Sequence, residues 1–193
     1  MIRIGFVVEG ICEKLFIESA NFQTWASQHG LEIAYPVINA GGNGNLCTQN
    51  IRPFLEKCHI EAKPDKIFVL TDLECEPCVS ATKARIGHDQ VSQIFVTKKA
   101  LEAWFLADTV AMRRWLKNDD FQGETMPEQT TDMPWERLKE IAASYHKKKL
   151  GPGRKKKPFA QKMIAQFDFS IERAANHPNC PSAHYFLNKL QNL

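Results

Sequence analysis

Residues 66–71, Lys-Ile-Phe-Val-Leu-Thr, form an unbroken apolar run that stops at a pair of acids, Asp72-Leu73-Glu74. A run of this kind shows no polar alternation. It reads as a strand covered on both faces, which is the pattern of a parallel sheet flanked by helices. The rest of the first half repeats the unit. Residues 2–8 are apolar and β-rich and end at Glu9-Gly10, and residues 13–29 carry the spacing of an amphipathic helix. Residues 31–38 read as a second strand, followed by an Asn/Gly-rich loop and a helix over 46–62. A helix over 79–88 and a strand over 92–97 complete the alternation. Successive β and α units imply one parallel, doubly covered α/β sheet of about four strands.

The chain has 193 residues, 44% of them apolar, enough for one compact domain with an appendage. We expect an α/β domain over 1–117, an acidic loop over 118–134, and a helical C-terminal extension over 135–193. No apolar run reaches the length of a membrane span, so no membrane partner is expected. The opening apolar run is too short for a secretory core and reaches Glu9 at once, which predicts a cytoplasmic protein. The six cysteines show no secreted-scaffold spacing and are expected to be reduced.

Charge is unevenly placed. Residues 145–158 hold seven Lys/Arg (Lys147, Lys148, Lys149, Arg154, Lys155, Lys156 and Lys157) and no acid, which leaves 18 basic against 22 acidic residues elsewhere. A basic segment is thus attached to a mildly acidic body. It is either a solvated loop or a contact for nucleic-acid phosphates, and Gly151-Pro152-Gly153 argues against one continuous basic helix. Tyr145 and Phe159 flank it and serve either base stacking or helix packing.

In parallel α/β sheets the loops leaving the carboxyl ends of the strands form the ligand crevice. Glu9 lies at the end of the first strand, Asp72 and Glu74 at the end of the third. If these strands are neighbours, three acids share one corner. Two carboxylates about 5 Å apart repel by about 3 kcal/mol at an effective dielectric near 20, so such a cluster binds a cation or holds a proton. An oxygen-only set favours Mg²⁺ or Mn²⁺. Gly10 would let the backbone turn tightly beside the metal, and phosphodiester chemistry is the reaction class this suggests. Acids at strand ends also cap helices or form ordinary ion pairs, and Glu13 fits a first-turn partner of the helix dipole better than a ligand.

Val8-Glu9-Gly10 with Glu13-Lys14, followed by Val69-Leu70-Thr71-Asp72-Leu73-Glu74, resembles the Toprim domain of topoisomerases, primases and related nucleases over roughly residues 1–110. The resemblance implies a Toprim-like, Rossmann-like sheet. It also implies an acid/base or metal-ligating role for Glu9 and Mg²⁺ binding by Asp72 and Glu74, with glutamate standing where the second aspartate is usual. Leu101-Glu102-Ala103-Trp104-Phe105-Leu106-Ala107-Asp108 and Cys180-Pro181-Ser182-Ala183-His184-Tyr185-Phe186 resemble a narrower bacterial Toprim-like family, domain of unknown function 4276. On that resemblance Glu102 is a further catalytic candidate, turned toward the metal site from its helix. Trp104 and Phe105 read as core. Lys98 and Lys99 either steady a phosphorane-like charge or meet solvent.

Cys75-Glu76-Pro77-Cys78 has the Cys-x-x-Cys spacing of zinc or redox sites, yet no second close pair completes a zinc set, and incidental thiols are the simpler reading. The expectation is Mg²⁺-dependent phosphodiester hydrolysis on nucleic acid. The alternative is a non-catalytic subunit that binds nucleic acid or nucleotide and docks on a partner ATPase. A third reading, a phospho-receiver domain, would place a phosphoryl group on Asp72.

Overall fold

The structure is a computed structural model that describes residues 1–74, 76–145 and 151–193. The chain divides into two compact units, Met1–Thr97 and Lys98–Leu193. The helices over residues 102–116 belong to the second unit.

The first unit is a five-stranded, all-parallel sheet with helices between the strands. Its elements are β1 (Ile2–Val8), α1 (Ile11–Ile17), α2 (Ala20–Gln28), β2 (Leu31–Ile33), β3 (Ile38–Asn39), α3 (Arg52–Glu61), β4 (Lys66–Asp72), α4 (Val79–Ile86) and β5 (Val91–Thr97). The spatial order is β2-β1-β4-β5, with β3 also paired to β1. The α/β class and parallel sheet expected from the sequence are present, with five strands rather than four. The expected strand over 31–38 is two short pieces, β2 and β3, paired to the two ends of β1. Pro36 lies between them, and proline has no amide to give a ladder.

Two expected helices are also broken or shortened, and a third helical stretch is divided. The one over 13–29 breaks at Glu18 and Ser19, where the Ser19 hydroxyl accepts from the Phe22 amide and starts α2. The one over 46–62 begins only at Arg52, after a 3-10 turn at Asn43–Leu46. Residues 102–116 form α5 (Glu102–Ala107) and α6 (Thr109–Leu116), divided at Asp108. In each case a polar residue that bonds its own backbone, or a turn, overrides a continuous apolar period.

Alternation decides the two faces of the sheet. Phe6, Phe68 and Phe95 pack edge to face along one side and meet Phe22 of α2. Val7, Ile67 and Val69 lie in a second cluster with Leu55 and Cys58 of α3 and Ile86 of α4. The ladder between β4 and β5 shifts register once: Ile67 faces Val91, but Phe68 faces Gln93, so that Asp72 comes to lie opposite Thr97.

At Gly5, Cys58 of α3 and Pro64 beyond it press close against β1. A Cβ there would fall 2.6 Å from Cys58 Sγ and 2.8 Å from Pro64 Cγ, and neither is the free end of a flexible chain. Gly5→Ala is therefore expected to destabilise the first unit by about 1–3 kcal/mol, read as a lower denaturation midpoint at unchanged slope. An unchanged midpoint would mean that α3 can retreat without loss.

The second unit is helical. Besides α5 and α6 it holds α7 (Pro134–Tyr145), α8 (Lys156–Ala165), α9 (Ile171–Ala175) and α10 (Pro181–Gln191). Every residue of α5 is buried, as expected of a helix without a polar face. Phe105 packs on Phe159 and Phe169, and Phe159 also meets Trp115 and Trp135. Phe159 is thus a core residue, while Tyr145 stays exposed at 40% and leans on Phe121. The expected loop over 118–134 holds no helix or strand up to residue 133, where α7 follows, yet Glu124 and Glu128 within it are buried. Among the described residues no helix is long and apolar enough to cross a membrane.

Candidate functional site

β1 and β4 are neighbours, and their register places Val8 opposite Leu70, so Glu9 leaves the sheet level with Thr71. The backbone holds Glu9 from both sides. Its amide donates to Leu70 O at 3.0 Å, and its carbonyl accepts from the Gly42 amide at 2.9 Å. The side chain then reaches over the end of β4, where Glu9 Oε2 accepts from Thr71 Oγ1 at 2.5 Å and from the Asp72 amide at 3.0 Å. Asp72 repeats the arrangement one strand further on: its Oδ1 accepts from Thr97 Oγ1 at 2.5 Å. Thr71 and Thr97 are fully buried and Asp72 nearly so. Two acids on adjacent strands are thus each oriented by a hydroxyl from the strand beside them.

Glu74 does not join this pair. Its backbone is left-handed, with φ of 47°, and its Oε2 accepts from Asn43 Nδ2 at 3.0 Å, in the loop after β3. Among the described residues no three His, Cys, Asp or Glu side chains are grouped closely enough to hold a metal ion. The three-carboxylate cluster expected from the sequence is therefore not assembled among the described residues; Glu9 meets Asp72 through the Asp72 backbone amide, and Glu74 bonds Asn43. Two acids still match the chemistry of Mg²⁺, which keeps several waters and takes one or two carboxylates plus phosphate oxygens. Hydrogen bonds that fix ligating carboxylates are the usual outer support of such ions.

Gly10 has an extended backbone, with φ of −143°, so no tight turn requires it. A Cβ there would sit 2.9 Å from Glu13 Oε2, the end of a flexible side chain that can shift. Glu13 is 5% exposed and lies back over Gly10 in the first turn of α1.

Glu102 lies in the second unit, 3% exposed, with Lys156 Nζ 3.2 Å from its Oε2. One expected catalytic acid and one expected nucleic-acid contact thus neutralise each other. Arg154, Lys155 and Lys157 are exposed. Lys147, Lys148 and Lys149 lie outside the described residues, as does Cys75. Lys99 is committed to the protein, donating to the carbonyls of Thr130 and Asp132.

Cys78 caps α4, its sulfur accepting from the Ala81 amide at 3.4 Å. Burial pushes the Cys58 thiol up to about 11, and burial together with the Glu128 carboxylate raises Cys180 further. Both are structural thiols rather than nucleophiles.

Thr71, Thr97 and Asn43 are the site residues that the sequence reading did not single out. A signal existed for two of them, because two apolar strands both end on threonine. Comparison with protein-family models, with curated proteins and with solved structures finds no match for this chain.

Proposed function

We propose that this protein is a divalent-metal-dependent phosphodiesterase acting on nucleic acid, with Glu9 and Asp72 as its acidic pair. The observation that carries the reading is the placement of these two acids at the carboxyl ends of adjacent parallel strands, Glu9 accepting from the Asp72 amide and each carboxylate held by a neighbouring threonine hydroxyl. That edge is where open α/β sheets bind ligands. The sequence resemblance to Toprim domains supports the same assignment. Glu9 and Asp72 would hold Mg²⁺ or Mn²⁺, which when bound polarises a phosphoryl oxygen and acidifies water. Both hydrogen bonds to Glu9 fall on Oε2, which leaves Oε1 as the atom to take a proton from the attacking water. Asp72, locked by Thr97, serves as the fixed anionic anchor. Arg154, Lys155 and Lys157 supply cations for a phosphate backbone.

One observation favours the alternative, a non-catalytic subunit that binds nucleic acid and docks on an ATPase. Glu74 is committed to Asn43 instead of the acid pair. Calorimetric titration of Mg²⁺ and Mn²⁺ separates the two readings. The catalytic reading expects binding to the wild type and a loss of affinity of at least about tenfold in Asp72→Asn, the scale on which ligand changes act. Equal heats from both proteins would remove Asp72 as a ligand and favour the binding subunit.

A further inference from the structure

The second unit contains a cleft of about 400 Å³ between the end of α6, the segment 151–155 and α8, a volume in the range of small-molecule sites. Its rim carries Lys117, Arg154, Lys155 and Lys162, and among the described residues no acid lines it. All four cations are exposed, and none makes an ion pair or side-chain hydrogen bond among the described residues. The other arginines of this unit behave differently. Arg113 donates to Phe121 O, Arg114 to Asp168, Arg137 to Glu124 and Glu140, and Arg173 to Asp108. Arg154 is thus the exception, and it shares the cleft with three lysines in the same state.

Four like charges around one concavity repel one another unless an anion lies between them. The floor adds a second requirement. Half-buried Phe167 and exposed Pro158 contribute apolar surface to the same cleft, over the buried Trp115, Phe159 and Pro152. Trp115 and Phe159 pack edge to face at 5.0 Å beneath it. A multiply charged group fits the rim and a planar apolar group fits against Phe167.

We propose that this cleft binds a nucleoside phosphate, its phosphates on Lys117, Arg154, Lys155 and Lys162 and its base against Phe167. The site belongs to the second unit alone and does not depend on the Glu9 and Asp72 pair. The same chemistry is offered by a free nucleotide and by the phosphorylated end of a single strand.

The test is calorimetric titration of ADP into the full chain in EDTA, where metal binding at the acid pair cannot contribute. ADP is expected to bind one to one, with pyrophosphate and adenosine each at least tenfold weaker. The exposed double variant Lys117→Gln, Lys162→Gln should lose at least tenfold in affinity with an unchanged circular-dichroism melt, while Glu9→Gln should bind ADP as the wild type does. Competition then separates the sources. A 5′-phosphorylated oligonucleotide that displaces ADP better than its 5′-hydroxyl twin marks a strand-end site, and equal failure of both marks a free nucleotide. Absence of ADP binding, undiminished affinity in the double variant, or pyrophosphate binding as tight as ADP would each overturn the proposal.

Discussion

Glu9→Gln is expected to lower Mg²⁺-dependent cleavage of a labelled oligonucleotide by about 10²–10⁴-fold, the contribution of a positioned acid or base. The substitution is informative because it is conservative where folding is concerned. A glutamine carbonyl oxygen accepts from Thr71 Oγ1 and from the Asp72 amide as Glu9 Oε2 does. Stability should therefore change by less than about 0.5 kcal/mol, and affinity for nucleic acid, which the proposed function assigns to the second unit's cations, should stay within twofold. What glutamine lacks is the charge and the proton-accepting oxygen. Thr71→Val tests the same site from behind: it keeps the amide bond to Glu9 but removes the hydroxyl, and a smaller loss of about 10–100-fold is expected, as for other outer-shell partners. Single-turnover rates that match the wild type in Glu9→Gln would take Glu9 out of the chemistry.

Asp108→Ala is expected to cost the second unit about 3–5 kcal/mol, the scale for breaking a buried ion pair. Asp108 is fully buried and serves four donors. Its Oδ1 takes the Ala111 amide at 3.1 Å, starting α6, and Arg173 Nε at 2.8 Å; its Oδ2 takes the Ser170 amide and Arg173 Nη2, both at 2.9 Å. One carboxylate thereby ties the α5–α6 corner to the start of α9. The Asp108→Asn variant should fare scarcely better, because whichever way the new amide is turned its NH₂ group meets the donors of Ala111, Ser170 or Arg173. For a unit of this size such losses lower the melting temperature by more than about 10 °C. Calorimetric melting of both variants checks this, and a drop of under about 2 °C would show that Arg173, one-third exposed, is simply rehydrated.

The sheet was readable in the sequence because β1 and β4 are long apolar runs whose burial on both faces leaves no alternative period. The breaks were not. Ser19 and Asp108 end helices by capping the next one, and a serine or aspartate inside an apolar period looks the same whether it points to solvent or to a backbone amide. The position of Glu9 and Asp72 followed from strand ends, and the adjacency of β1 and β4 made them neighbours. Glu74 escaped the same logic. Two residues past Asp72 its backbone is left-handed, and its direction is set by Asn43, a partner 31 positions away that no local spacing encodes. Burial of Glu128 was hidden for a similar reason: its Oε1 accepts from the Ser182 amide and hydroxyl, 54 positions on.

The register shift between β4 and β5 has a bearing on how mutable this edge of the protein can be. Counted straight from Ile67 and Val91, Asp72 would face Val96, which has nothing to donate; the one-residue advance at Phe68 and Gln93 delivers Thr97 instead. A slip back by one residue would turn every side chain of β5 to the opposite face, taking Phe95 away from Phe68 along with Thr97 from Asp72. Selection for a well-packed aromatic face therefore guards the orienting hydroxyl as well, and drift along β5 is filtered by folding before it reaches the acids.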